Sequence, residues 1–148
     1  MKILGIDVGG TGIKGAIVNT ETGELISKRR RIATPQPATP EAVAETIQKL
    51  IEHFKWEGPV GCGFPTPLKN GKCLTGGNLH KDWKNLKVDD FFKNKTGNTF
   101  SVVNDADAAG LAEITFGAGK GVKGTVIMIT LGTGIGSTLF LDGKLVPN

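Results

Sequence analysis

The chain has no tyrosine, and tryptophan, cysteine, methionine and histidine occur only twice each in 148 residues. Two tryptophans without tyrosine give no aromatic platform for stacking nucleic-acid bases. Cys62 and Cys73 fit no zinc-ligand spacing and make no disulfide scaffold, so they read as two reduced thiols of a cytoplasmic protein. His53 falls in a helical segment and His80 in a loop. With no cluster of metal-ligating residue types, a metal here would be Mg²⁺ held by carboxylate and phosphate oxygens. No apolar run approaches membrane-spanning length. The first one, after charged Lys2, is short and broken at Asp7, so no signal peptide is expected. Charge of one sign is scarce too: 18 basic against 14 acidic residues leave a net charge of +4, which favours a polyanionic partner without identifying it. The single dense basic run, Lys28-Arg29-Arg30-Arg31, reads as a solvated strand protecting a sheet edge rather than as a nucleic-acid site.

Glycine, by contrast, is abundant, and two of its clusters share a context. Lys2–Val8 has the pattern of a buried strand that delivers Asp7 to its end. Gly9-Gly10-Thr11-Gly12 follows, and then an alternating strand, Lys14–Asn19. Backbone N–H groups of such a turn can converge on an anion without Cβ interference, and a carboxylate beside that anion can hold Mg²⁺. Gly10-x-Gly12-x-x-Gly15 also satisfies the dinucleotide fingerprint, but that fingerprint needs a helix after the glycines, and here a second strand follows. Near the other end, the strand-like run Val126–Leu131 enters Gly132-Thr133-Gly134-Ile135-Gly136 and leaves through Thr138–Leu141, with a hairpin signal at Asp142-Gly143 before Lys144-Leu145-Val146. The tetrapeptide Gly-Thr-Gly-Ile stands at both Gly10 and Gly132. Two copies of strand, glycine turn, strand suggest two lobes that each offer a phosphate loop to a shared cleft. For either turn alone, a hairpin without a ligand is the competing reading.

Between these turns the pattern is α/β. Glu24–Ile32 reads as a third strand. Thr39 caps a helix that has Pro40 at its first position and an apolar stripe at Val43, Ile47, Leu50, Ile51 and Phe54. Val60–Phe64 is a buried strand, Asn70-Gly71 a tight turn, 76–83 irregular, Lys87–Lys95 a short helix, Phe100–Val103 a strand and Ala106–Phe116 a helix. Strands at the start followed by alternating helix and strand indicate an α/β sheet with a meander edge. Asn104-Asp105 then lies at the carboxyl end of a strand and the start of a helix, where ligands gather in such sheets; a helix cap is the alternative reading. Asp107 reads as a helix-dipole residue, and Asn78 as a donor and acceptor for a hydroxylated ligand or as an ordinary turn residue. Together the residues fit phosphoryl transfer to an alcohol: glycine turns on the donor phosphates, Asp7 positioning Mg²⁺, and Asp105 accepting the hydroxyl proton.

Asp7-Val8-Gly9-Gly10-Thr11, Asn104-Asp105-Ala106-Asp107 with the residues through Glu113, and Leu131-Gly132-Thr133-Gly134-Ile135-Gly136-Ser137 resemble the ROK family of sugar kinases. Thr34–Pro40, Asn78-x-x-Lys81-x-Trp83 and Gly117-Ala118-Gly119-Lys120 resemble its polyphosphate glucokinases. The resemblance implies an actin-like ATPase, or ribonuclease-H-like, fold. Residues 1–117 would form the N-terminal lobe and 118–148 the beginning of a second, incomplete lobe. It implies a cytoplasmic, homodimeric glucokinase that transfers a phosphoryl group from polyphosphate or ATP to the 6-hydroxyl of glucose with Mg²⁺, without nucleic-acid or membrane partners. Asp105 would be the base. Asn78, Asn104 and Asp105 would contact glucose. Asp7, Gly9, Gly10, Thr11 and Lys14 would serve the first phosphate loop, and Gly132, Thr133, Gly134 and Gly136 the second, with Asp7 also the metal residue. The alternatives are an ATP-dependent kinase of other hexose specificity and a non-catalytic sugar- or phosphate-binding relative. Pro65-Thr66 departs from the Pro-Gly of many relatives. A Glu-x-Gly-His segment of the family would fall beyond Asn148, so the 148-residue chain is expected to be weakly active or inactive by itself.

Overall fold

A computed structural model describes residues 1–77, 79–132 and 135–146. β1 (Lys2–Val8), β2 (Gly12–Asn19) and β3 (Arg30–Ala33) form an antiparallel meander. After α1 (Pro40–Phe54), β4 (Val60–Phe64) pairs parallel with β1. A two-stranded hairpin of β5 (Leu68–Lys69) and β6 (Lys72–Cys73) turns at Asn70-Gly71. A 3₁₀ turn (Lys81–Trp83) and α2 (Val88–Thr96) lead to β7 (Phe100–Asn104), which pairs parallel with β4. The resulting sheet has the order β3-β2-β1-β4-β7. α3 (Asp105–Phe116) then leads to a separate three-stranded sheet of β8 (Thr125–Leu131), β9 (Ile135–Leu141) and β10 (Lys144–Val146), in the order β10-β9-β8.

Strand register assigns the faces. Ile6 pairs with Gly15 and Asp7 with Gly63, and successive residues point to opposite faces. A Cβ on Gly15 would meet Phe54 and Leu50 of α1, whereas one on Gly63 would meet Asp105 and Ala108 of α3. α1 and α3 therefore cover opposite faces, and Asp7 emerges on the face that α3 covers. Leu4, Ile6 and Val8 face α1 and are buried with Val43, Ile47 and Leu50. The Thr39 cap is present, its Oγ1 accepting the Ala42 N–H at 3.3 Å, and α1 is closed by Lys55 in the left-handed conformation.

The expected strand Glu24–Ile32 is split. Leu25 forms an isolated bridge with Val18, and pairing resumes only at Arg30. In between, Ser27 Oγ accepts the Ile17 N–H at 2.8 Å, a side chain standing in for the ladder. β3 is the edge strand, as its charge run suggests. The strand after each glycine turn starts earlier than expected, at Gly12 and Ile135.

The 3₁₀ turn, read from sequence as irregular, places Trp83 at the centre of an aromatic group with Phe64, Phe91 and Phe92. Trp83 is 0 % exposed, and its indole N–H donates to the Ala38 carbonyl at 2.9 Å. Trp83→Ala is expected to destabilise the fold by about 3–5 kcal/mol, because it opens a cavity and orphans a buried carbonyl. A lowered urea midpoint at unchanged m-value measures it. Burial pushes the Cys62 thiol, and that of Cys73, above the usual range; Asp7 adds to the effect at Cys62. Both are free, buried core residues. Among the described residues, no helix is long and apolar enough to cross a membrane.

Candidate active site

A cleft of about 990 Å³ opens where the two sheets and α3 meet. Asp7, Gly9, Gly10, Thr11, Lys14, Asn104, Asp105, Gly132 and Gly136 all line it. The two glycine turns and the acidic helix start, 94 residues apart from Thr11 to Asp105 in the sequence, therefore face one space. Asn78, Thr133 and Gly134 lie outside the described residues.

The first turn is held from behind. Thr34 Oγ1 donates to the Gly9 carbonyl, Arg31 Nη2 donates to the Thr11 carbonyl at 2.6 Å, and the Gly9 N–H donates to the Gly12 carbonyl at 3.1 Å. Three carbonyls are thus engaged within the protein. Among the described residues, nothing accepts the N–H groups of Gly10 and Thr11. A loop with its carbonyls tied back and its N–H groups unclaimed at a cleft wall is suited to an anion. Sequence reasoning missed Arg31 and Thr34. Their roles depend on β2–β3 pairing, which brings together residues 20 and 25 positions apart.

Gly10 meets no atom within 4 Å of an added Cβ, and neither does Gly132. Gly136 differs: its Cβ would press on Ala106 at 3.1 Å, so β9 and the start of α3 are in close contact. A second link joins them. Asp107, buried in the first turn of α3, accepts the Thr138 hydroxyl at 2.8 Å. Its place near the positive helix end is as expected; its bridging bond to β9 is not legible from sequence.

Asn104 is the N-cap of α3. Its Oδ1 accepts the N–H of Ala106 at 3.0 Å and of Asp107 at 3.3 Å, while Nδ2 donates to the Thr66 carbonyl at 3.3 Å. The cap is therefore Asn104, which leaves Asp105 on the first turn facing the cleft. Asp105 Oδ1 accepts the Ala106 N–H at 2.8 Å, and Oδ2 has no hydrogen bond among the described residues. Solvent reaches Asp105 through the cleft, but partial burial of its carboxyl raises its pKa above the ordinary 3.8; the Ala106 N–H opposes this and the Asp7 charge adds to it.

Lys14 and Asp7 are register partners, and Lys14 Nζ lies 3.1 Å from Asp7 Oδ2. The Asp7 carboxylate thus already holds a cation at the cleft. No three metal-ligating side chains cluster among the described residues. A single carboxylate beside an anion loop fits a hard cation that takes its remaining ligands from phosphate and water, as Mg²⁺ does.

A family model described as the ROK family matches residues 3–147. The chain belongs to the ROK family. It is 48% identical over 145 residues to the polyphosphate glucokinase of Mycobacterium tuberculosis (strain CDC 1551 / Oshkosh), an alignment that covers 97% of this chain and 55% of that relative. It superposes with a TM-score of 0.95 and 49% identity on the inorganic polyphosphate/ATP-glucomannokinase of Arthrobacter sp. strain KM, covering 99% of this chain and 61% of that one. A ROK family glucokinase from Streptomyces griseus, solved with glucose and AMPPNP, gives a TM-score of 0.85 at 33% identity, over 99% of this chain and 46% of that one. The chain spans about half the length of the curated relatives it matches. Its fold is the actin-like ATPase fold of the ROK sugar kinases.

Proposed function

We propose that this ROK chain serves as a glucokinase, transferring a phosphoryl group from inorganic polyphosphate or ATP to the 6-hydroxyl of glucose. The observation that supports this most is the single cleft that brings an anchored glycine loop, Asp7 and the first turn of α3 to one space. The names of the relatives support the choice of sugar and donor. In this reading residues 1–117 form the N-terminal lobe and 118–148 begin a second, incomplete one. A cytoplasmic location and a homodimeric state belong to the same reading; the first rests on the two free thiols and the resemblance, the second on the resemblance alone.

Gly9, Gly10 and Thr11 would receive donor phosphates on their backbone, with Lys14 as a nearby charge. Gly132, Thr133, Gly134 and Gly136 would serve as a second phosphate loop. Asp105 would accept the proton of the attacking hydroxyl. Its unengaged Oδ2 gives it a free lone pair for that, and its raised pKa makes it a stronger base than an ordinary aspartate. Asn104 holds the helix start and keeps one amide hydrogen for the sugar, with Asn78 as a second sugar contact. Asp7 would hold Mg²⁺, which supplies charge neutralisation on the donor phosphates. The protein's share is alignment of hydroxyl, phosphorus and leaving oxygen.

The test is a chain extended with the part of the M. tuberculosis polyphosphate glucokinase that this one does not cover, incubated with glucose and either donor. Glucose 6-phosphate is the expected product, and its absence with both donors refutes the reading. Mannose serves as the competing sugar, given the similarity to a glucomannokinase. Within that extended chain, Gly10→Ala is expected to leave the melting temperature unchanged, since the new methyl meets no protein atom. The methyl would instead occupy donor space and raise the donor KM about tenfold, roughly 1.4 kcal/mol.

A further inference from the structure

Thr66 is fully buried, yet its neighbours Pro65 and Pro67 both line the cleft. Each proline fixes its own φ, and Pro67 disfavours the helical region at Thr66. The segment leaving β4 is therefore stiff, and its place is set by what Thr66 touches. Its carbonyl accepts the Asn104 Nδ2 at 3.3 Å. Its hydroxyl lies 3.2 Å from the Cys73 sulfur, a buried hydrogen bond to the β5–β6 hairpin. A Cβ on Gly77 would stand 2.8 Å from the Thr66 methyl, so these two residues are in close contact. Gly77 has a φ of +56° and immediately precedes Asn78. One buried residue thus joins the cap of α3, the hairpin and the backbone that enters Asn78. A valine would fill the same space; the hydroxyl is needed only to grip Cys73.

We infer that Thr66 is a positioning residue for the acceptor sugar: its hydroxyl and methyl fix the carbonyl that orients the Asn104 amide and the backbone that leads into Asn78. The inference rests on the glucokinase reading, in which Asn104 and Asn78 contact the sugar. Thr66 is closed off from the cleft and acts only through these neighbours. The Asn104 amide has two donor hydrogens in one plane. With one held by the Thr66 carbonyl, the direction of the other is set. A displaced carbonyl turns that plane and mis-aims the hydrogen meant for the sugar. No hydrogen bond among the described residues links Thr66 to either glycine turn or to Asp7, so the donor side is spared.

The test uses the extended chain and reads kcat, the KM for glucose and for each donor, and the melting temperature. The variants are Thr66→Val, Thr66→Ser, Gly77→Ala, and Thr66→Ser combined with Gly77→Ala. Thr46→Val is the control: Thr46 is another buried threonine, whose hydroxyl donates to the Ala42 carbonyl within α1, on the opposite face of the first sheet. Thr66→Val should raise the glucose KM about tenfold and leave kcat and donor KM within about twofold, the pattern of lost uniform binding. Thr66→Ser keeps the hydroxyl and should have a smaller effect, and Thr46→Val should move none of the three. Gly77→Ala should also raise the glucose KM. Adding Thr66→Ser should partly restore it, because serine lacks the methyl that the new Cβ would strike. If Thr66→Val shifts glucose and donor KM alike, or lowers the melting temperature at unchanged glucose KM, Thr66 is only structural and the inference fails while the glucokinase reading stands. If Thr66→Val does not fold, the Gly77→Ala pair decides: restoration by serine upholds the inference and additive losses overturn it. A wild-type extended chain that yields no glucose 6-phosphate with either donor overturns the glucokinase reading and this inference together.

Discussion

Asp105→Asn in the extended chain is expected to lower kcat by roughly 10²–10⁴-fold, the range for losing a positioned general base, while the KM for glucose stays within a few-fold. Asparagine keeps the shape and the acceptor that Asp105 Oδ1 offers to the Ala106 N–H. The cap also survives, because it belongs to Asn104 rather than Asp105. What disappears is the basic Oδ2 that faces the cleft. The pH profile provides an independent check. Partial burial raises the Asp105 pKa, with the Asp7 charge adding to the rise. The protonated, inactive form therefore persists to higher pH than for an ordinary aspartate, and the acid limb of kcat/KM should lie above pH 3.8. Asp7→Asn removes one of the raising charges and should shift that limb toward lower pH in whatever activity remains. For stability the sign is opposite to that of a salt-bridged carboxylate. The folded chain holds the Asp105 proton more tightly than the unfolded one, so ionising the group costs stability as pH rises from the unfolded pKa through the raised folded value. Asp105→Asn removes that cost, and unchanged or slightly higher thermal stability at neutral pH is expected. Turnover comparable to wild type would remove Asp105 from the role of base.

What could be read from sequence was whatever depends on near neighbours along the chain. The Thr39 cap with Pro40, the apolar stripe of α1 and the strand on either side of each glycine turn all follow from local spacing, and they appear with small shifts at their ends. The strand after Gly10-x-Gly12 separates this turn from a dinucleotide fold, and β2 is there. The features that escaped are long-range. Arg31 and Thr34 reach the first turn only because β3 pairs with β2. Trp83 finds the Ala38 carbonyl across 45 residues, and Thr138 finds Asp107 across 31. A hydroxyl or an indole N–H carries no sign in sequence of which distant acceptor it will meet. The break at Ser27 shows a different limit: a run of strand-forming residues cannot reveal that one side chain will displace the ladder. The cleft was legible as a pairing of motifs because the tetrapeptide Gly-Thr-Gly-Ile recurs in matching contexts. Its depth and the anchoring of its loop were not.

The 148-residue chain alone is expected to bind a hydrophobic dye such as anilinonaphthalene sulfonate and to associate as its concentration rises. The reason is the second sheet. Its inner face packs on α3, with Thr138 and Phe140 buried and Gly110 leaving room for both. Its outer face carries Ile127 opposite Leu139 and Leu131 opposite Ile135, with Ile129 between them. Ile127 is 64% and Ile129 62% exposed, and Leu131 and Ile135 are more exposed still. Covering each such side chain is worth about 1.5–3 kcal/mol, so a contiguous patch of five supplies enough to drive contact between chains. Strand edges at β8 and β10 add a route by which sheets could join. Ile129→Lys together with Leu139→Lys should suppress association and dye binding without lowering the urea midpoint, because neither residue contributes to the α3-facing core. Light scattering and sedimentation across a concentration series give the readout. In the extended chain the same two lysines should have the opposite consequence and lower stability, provided the added part covers this face. A wild-type 148-residue chain that stays monomeric and dye-silent at high concentration would show that the outer face of the second sheet needs no cover.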